Sequence, residues 1–312
     1  MTTLSKKIDF AVILTVQHAN PNGDPLNGNR PRVTYEGFGE MSDVSIKRKI
    51  RNRLQDMGHK IFVQSDDNRA EGDEYGSLRE RADATLKGID PNKDKKKYQE
   101  AACKTWLDVR AFGQLFAFKK GKKSEGEESS DGVSIPVRGP VSIHPAFSVA
   151  TVLDRAPSIQ ITKSVSGEPG EKRGSDTMGM KHRVDHGVYV FYGSMNPQLA
   201  DKTTFSDEDA EAIQKALRTL FVNDASSARP EGSMEVFRVY WFTHSNRNGK
   251  YSSATVHNAV RSKIDVKKDK AEPKDIGDYD YPSKEDLEKE LPNVECQVFE
   301  LPDLNCEEIN GE

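Results

Sequence analysis

The stretch from Asn20 to Met57, a turn-rich loop running into a cationic helix, restricts the possible folds more than any other part of the chain. Asn, Gly and Pro crowd the segment HANPNGDPLNGNRPRV so densely that the backbone must turn repeatedly there. Ser42 or Asp43 then offers a side-chain oxygen to the first free amides of a helix. Ile46, Ile50, Leu54 and Met57 recur at helical spacing, so one stripe faces a core. Lys47, Arg48 and Arg51 lie off that stripe and Lys49 and Arg53 flank it, five cations within seven positions. The helix holds only Asp43 and Asp56 as acids, so its cations are expected to be unpaired along it. Two readings follow: a solvated basic face, or a surface across which an anion such as phosphate lies.

Charge distribution sharpens the second reading. The net charge of -4 is unevenly spread: Asp265 to Glu312 holds 6 Lys/Arg against 16 Asp/Glu, a net of -10, which leaves +6 on the preceding residues. A basic body with an acidic tail suits a nucleic-acid binder that also meets protein neighbours. No apolar run approaches the roughly 20 residues of a membrane helix. No signal-peptide pattern opens the sequence, and no membrane partner is expected. Cys103, Cys296 and Cys306 are an odd count without metal-site spacing, so the expected setting is reducing and cytoplasmic.

Along the chain, Ile8–Gln17 reads as a covered strand, Lys60–Val63 as a short second strand, and Lys97–Asp108 as a helix. Asp108–Phe118 returns to the core, whereas the low-complexity run Lys119–Gly132 reads as a mobile loop. Val133–Pro145 and Phe147–Leu153 are strand-like, and Asp154–Gly187 reads as a long hairpin or flap. Strands at Gly187–Met195 and Met234–Phe242 bracket a helix that begins near Ser206. A helix within Ala254–Ile264, another near Ser283–Leu291 and a strand at Val294–Phe299 follow. Without insertions the order approaches β-α-β-β-α-β, the ferredoxin-like plan of RNA-recognition modules, which present an open sheet face to single strands.

Chemical motifs are sparse. Asn20–Asn29 has the residues of a calcium loop, but Pro25 replaces the turn glycine and the closing Glu is missing. His182 and His186 stand four apart without a third ligand, so exposed or RNA-contacting histidines are expected rather than zinc. No nucleophile–base pair or phosphate loop stands out, and no cofactor, metal or catalytic group is expected. Asp43 sits where a metal-assisted or acid–base nuclease would place an acid, but its expected role is helix capping. The flap carries Lys163, Lys172, Arg173, Met178, Met180, Lys181 and Arg183; its methionines suit a neighbouring subunit, a wedge between bases, or core packing. Arg138, on the stiff bend before Gly139-Pro140, either touches RNA or ends a strand.

Four motifs in order, NPNGDP, a Ser-x-Lys-Arg-x-x-Arg helix at Ser45–Arg51, DVRAFG and VRGPVS, resemble one family. It comprises the CRISPR-RNA-lining backbone subunits of type I-C CRISPR Cascade complexes, the "Cas seven" or Csd-type proteins of the RAMP superfamily. The similarity extends to about Ala259. It implies an α+β fold with an RRM-like (ferredoxin-like) palm at 1–63, 109–153 and 187–264. A helical finger insertion at 64–108, a thumb β-hairpin at 154–186 and an acidic C-terminal segment at 265–312 complete the implied division. The resemblance further implies an antiviral, non-catalytic filament along CRISPR RNA, whose thumbs displace guide bases so that target DNA pairs in segments. Copies of the same chain and the large, small and repeat-processing end-cap Cascade subunits are its implied partners. Asn20, Asn22 and Gly23 fall on the family's loop beside the guide, Ser45, Lys47 and Arg51 on its gripping helix, and Met178–Met180 in its thumb. The rival is a metal-dependent RNA endonuclease, as in related type III subunits, with Asp24 and Asp43 as candidate acids.

Overall fold

The computed structural model describes residues 2–118, 133–153, 156–163 and 177–300. The chain opens with β1 (Ile8–Ala19), the short strands β2 (Gly23–Asp24) and β3 (Arg30–Pro31), then β4 (Phe38–Met41) and helix α1 (Asp43–Asp56). Helices α2 (Leu78–Thr85), α3 (Lys95–Thr105) and α4 (Leu107–Phe112) lead to the ribbon β5 (Gln114–Phe118) and β6 (Val133–Val137). Next come β7 (Val141–Ile143), β8 (Ala146–Thr151), the hairpin β9 (Ser158–Lys163) and β10 (Thr177–His182), and β11 (Val184–Met195). Helices α5 (Pro197–Thr203) and α6 (Asp207–Arg218) precede β12 (Met234–His244) and α7 (Ser253–Arg261). The short strands β13 (Asp265–Val266) and β14 (Tyr279–Asp280), helix α8 (Lys284–Glu290) and β15 (Val294–Glu300) follow. The loop expected at 119–132 and the flap tip with Lys172 and Arg173 lie outside the described residues.

A seven-stranded antiparallel sheet in the order β15-β12-β1-β11-β8-β4, with β7 also on β11, forms the centre. Its central strand β1 is apolar throughout Phe10–Leu14 because both of its faces are covered. Phe10, Val12, Leu14 and Val16 pack with Ile46, Ile50 and Leu54 of α1 and Ile213 and Leu217 of α6. Ala11 and Ile13 point the other way, to Val256 and Val260 of α7, Leu287 of α8 and Tyr279. The strand period of two therefore feeds two cores from one strand. This differs from the open sheet face expected above. The acidic C-terminal stretch explains the difference, since Tyr279, Leu287, Leu291 and Cys296 are buried on that face and β15 hydrogen-bonds to β12 along seven register positions.

A third core holds Phe62, Ala82, Leu86, Tyr98, Trp106, Phe116 and Ile135, with the rings of Phe62 and Trp106 4.6 Å apart. Lys60–Val63 lies beside it and is not the strand its composition predicts. The amides of Phe62 and Val63 donate to the Asp108 carboxylate at 2.7 and 3.1 Å, and their carbonyls accept from Arg81 and Arg48. Side chains have replaced a neighbouring strand as backbone partners, which no local pattern reveals.

Asp108 is fully buried and also receives Arg51 Nε at 2.9 Å, while Arg110 of the same short helix grips Asp209 in bidentate fashion at 2.8 and 2.7 Å. The glycines of the DVRAFG and VRGPVS motifs lie back to back. Gly113 takes φ +81°, and a Cβ on Gly139 would meet the Ala111 carbonyl at 2.2 Å. Asp108→Ala should destabilise the fold by about 3–5 kcal/mol, because Arg51 and two buried amides lose their acceptor together. Urea unfolding followed by circular dichroism checks this, and a loss below about 1 kcal/mol would contradict the assigned role.

Candidate nucleic-acid interface

The loop after β1 is built by its own polar side chains. Asn20 donates its backbone amide to Ala228 O and its Nδ2 to Asn29 O, and its Oδ1 is buried without a hydrogen-bond partner among the described residues. Asn22 Oδ1 accepts from the amide of Ser42, the residue that caps α1 through a bond from Ser45 N, so loop and helix start are one unit. Asp24 caps a single 3-10 turn by accepting from Leu26 N. Gly23 leaves room for Asn29, whose Oδ1 a Cβ would meet at 2.0 Å. Left-handed Gly28 and Asn29 then reverse the chain and expose Leu26 and Arg30.

The hairpin base closes on the same corner. Lys181 Nζ donates to Ser227 O, next to the Ala228 carbonyl that receives Asn20. Arg183 and His18 share Asp185 at 2.8 and 3.1 Å. Arg32 lies 3.7 Å from Asp24 while its Nε is buried without a hydrogen bond to a described residue. The Arg30 guanidinium makes no ion pair or hydrogen bond to a described residue. The structure thus brings Asn20, Asn22, Gly23, Ser45 and Lys181 together at one basic margin, with Lys47 two positions beyond Ser45 on α1.

The helix cations are arranged differently from the sequence expectation. Lys49 is only 4% exposed and forms an ion pair with Asp224; Arg51 pairs with Asp108 and stacks over Phe112 at 5.1 Å. Arg53 donates to Thr219 Oγ1 at 2.7 Å, and Arg48 to the Val63 carbonyl at 2.6 Å. Even Lys47 meets Asp43 at 2.9 Å, although in a part-exposed pair of small energetic weight. The idea of a helix with unpaired cations therefore fails, because its carboxylate partners come from Asp108 and Asp224, far away in sequence. Burial lowers the Lys49 ammonium to about 8 against the opposing pull of Asp224.

Other expected residues are scattered. Arg138 is exposed three positions before β7, whose Val141 pairs with Met195 at the end of β11 opposite the loop. Lys163 and Met178 occupy adjoining register positions of the hairpin, and their side chains lie outside the described residues. Met180 is half exposed. His182 and His186 are buried rather than exposed: Ser158 Oγ bonds His182 Nδ1 at 2.8 Å, and Gln17 Nε2 bonds His186 Nδ1 at 2.9 Å. Asp24 and Asp43 are taken up by a turn and by Lys47. No group of three or more His, Cys, Asp or Glu able to hold a metal occurs among the described residues, nor does a helix long and apolar enough to cross a membrane. Arg30 and Arg32 also lie at this margin, and the alternation Arg30-Pro31-Arg32 after a run of turns is the sequence signal that marks them.

Fold and margin define an α+β protein with one basic corner. The family described as CRISPR-associated protein Cas7 matches residues 6–284. The chain belongs to that family. A CRISPR-associated protein Cas7 of Haloferax volcanii is 30% identical over 235 residues, covering 73% of this chain and 67% of that protein. Among solved structures, a chain of a "CRISPR RNA-guided surveillance complex, pre-nicking" aligns with 80% of this chain and 81% of its own length, at 16% identity and TM-score 0.42. A chain of a "CRISPR RNA-guided surveillance complex" aligns with 96% and 90%, at 15% identity and TM-score 0.43.

Lys49 yields a pH test. In the folded chain its proton leaves near 8, but in the unfolded chain only near the ordinary 10.5. Between those values the unfolded chain binds more protons, so stability should rise with pH across that window. Lys49→Met should remove this rise in unfolding free energy measured from pH 8 to 10.5; an identical slope in the variant would contradict it.

Proposed function

We propose that this chain is the guide-RNA-binding, non-catalytic backbone subunit of a type I-C CRISPR surveillance complex. The convergence of the Asn20–Arg32 loop, the start of α1 and the hairpin base on one basic margin carries the reading. RNA lies along that margin, held by Arg30, Arg32, Lys47 and Lys181 through its phosphates and by loop amides. Base pairing with the guide then reads the target DNA strand, so the protein needs backbone contacts rather than base recognition. Copies stack head to tail along the guide, since a heterologous contact that does not close builds an open filament. The hairpin 154–186 serves as the thumb that divides the guide into segments. Large, small and end-cap subunits join the filament. The fixed positions of Asp24 and Asp43 favour a scaffold over an endonuclease.

The double variant Arg30→Gln/Lys47→Gln should weaken binding of single-stranded RNA of any sequence. It should also flatten the dependence of log affinity on log salt by roughly 1.4, about 0.7 for each lost phosphate contact. Filter binding at several salt concentrations measures both. An unchanged slope, with circular dichroism showing a folded variant, would remove these residues from the guide path.

A further inference from the structure

A cleft of about 510 Å³ opens on the sheet face opposite α1, between the β7–β8 turn and the end of α7. His144 and Phe147 form one wall, Arg261, Ile264 and Asp265 the other, and Tyr192 lies at the floor. The cleft is separate from the basic margin: Tyr192 stands eight positions along β11 from Val184, which pairs with Ala19 where the loop begins. At the rise of an extended strand this is roughly 25 Å.

The floor and one wall are a prepared stack. The His257 ring lies 5.1 Å from the Tyr192 ring, and the Arg261 guanidinium lies over Tyr192 at 4.8 Å. Behind them His257 Nε2 bonds Gly193 O at 3.0 Å, which fixes the bottom layer, and Arg261 Nη1 donates to Asn258 Oδ1 at 3.2 Å, which holds the top one. Arg261 is exposed and lines the cleft. Phe147 is 42% exposed on the opposite wall, an aromatic side chain left uncovered beside a cavity. Burial and nearby Arg261 lower His144, so at neutral pH it faces the cleft as a neutral ring. Asp265 adds a hydrogen-bond acceptor at the rim.

A guanidinium plane on one wall, the rings of His144 and Phe147 on the other and one acceptor at the rim suit a flat, neutral, nitrogen-bearing ring. We propose that the cleft binds one unpaired nucleobase, stacked on Arg261 between the two walls, with Asp265 accepting from a ring amine. This second nucleic-acid contact goes beyond the guide path and lies on the other side of the sheet. Stacking tolerates any base, so the cleft favours an unpaired nucleotide without reading its identity.

The test titrates the full chain with adenosine and uridine 5′-monophosphates and, separately, ribose 5-phosphate, following binding by calorimetry. The nucleotides should bind saturably, ribose 5-phosphate should fail to displace them, and Arg261→Gln and Phe147→Ala should each weaken binding roughly tenfold. Phe147 is 42% exposed and Arg261 is exposed, and circular dichroism checks that both variants remain folded. Displacement by ribose 5-phosphate would mean a phosphate site and overturn the proposal. So would the absence of saturable binding, or wild-type affinity in both variants. Retention of single-stranded RNA is measured alongside: loss of mononucleotide binding with RNA retained identifies a separate site. Mononucleotide binding that survives in Arg30→Gln/Lys47→Gln shows that the cleft does not depend on the margin.

Discussion

A buried carboxylate, that of Asp108, holds three parts of this protein in register. It accepts from the amides of Phe62 and Val63 and from Arg51, so the middle of α1, the 60–63 segment and the small helical core meet at one charge. A fully desolvated carboxylate is tolerated only when its oxygens are saturated by donors, as they are here. Two positions on, Arg110 repeats the logic with the sign reversed, pinning Asp209 inside the capping box of α6. The Lys49–Asp224 pair adds a third tie between α1 and the segment beyond α6. These pairs fix the angle of α1 against the sheet and hence the place where its capped end meets the Asn20–Arg32 loop.

The sheet was legible in the sequence where apolar runs are long. Ile8–Gln17, Gly187–Met195 and Met234–Phe242 lie within β1, β11 and β12, and the stripes of α1 and α6 face the core as their spacing requires. Legibility ended where distant side chains supply the partners. Lys60–Val63 has strand composition but bonds to Asp108, Arg48 and Arg81, and α1 has unmatched cations only until Asp108 and Asp224 fold onto it. The covering of the second sheet face was equally hidden, since an acidic composition masks the few apolar residues, Tyr279, Leu287 and Leu291, that carry it.

The motifs behind the family resemblance act mainly as architecture. Asn22 of NPNGDP holds the cap of α1, Asp108 and Arg110 of DVRAFG make the buried pairs, and Gly113 and Gly139 permit two backbones to touch. Exposed Arg30 and the Arg261 stack belong to none of these motifs.

The placement of β1 at the middle of the sheet has a consequence for biosynthesis. Its two neighbours, β11 and β12, start at Val184 and Met234, so the strand made first meets them only after more than half of the chain has left the ribosome. At ordinary translation speeds that interval is roughly 10 to 30 seconds. During it, an apolar strand with two sticky faces must be kept from other nascent chains. Ribosomal delivery, rather than the speed of collapse, sets the earliest moment at which the central sheet can close.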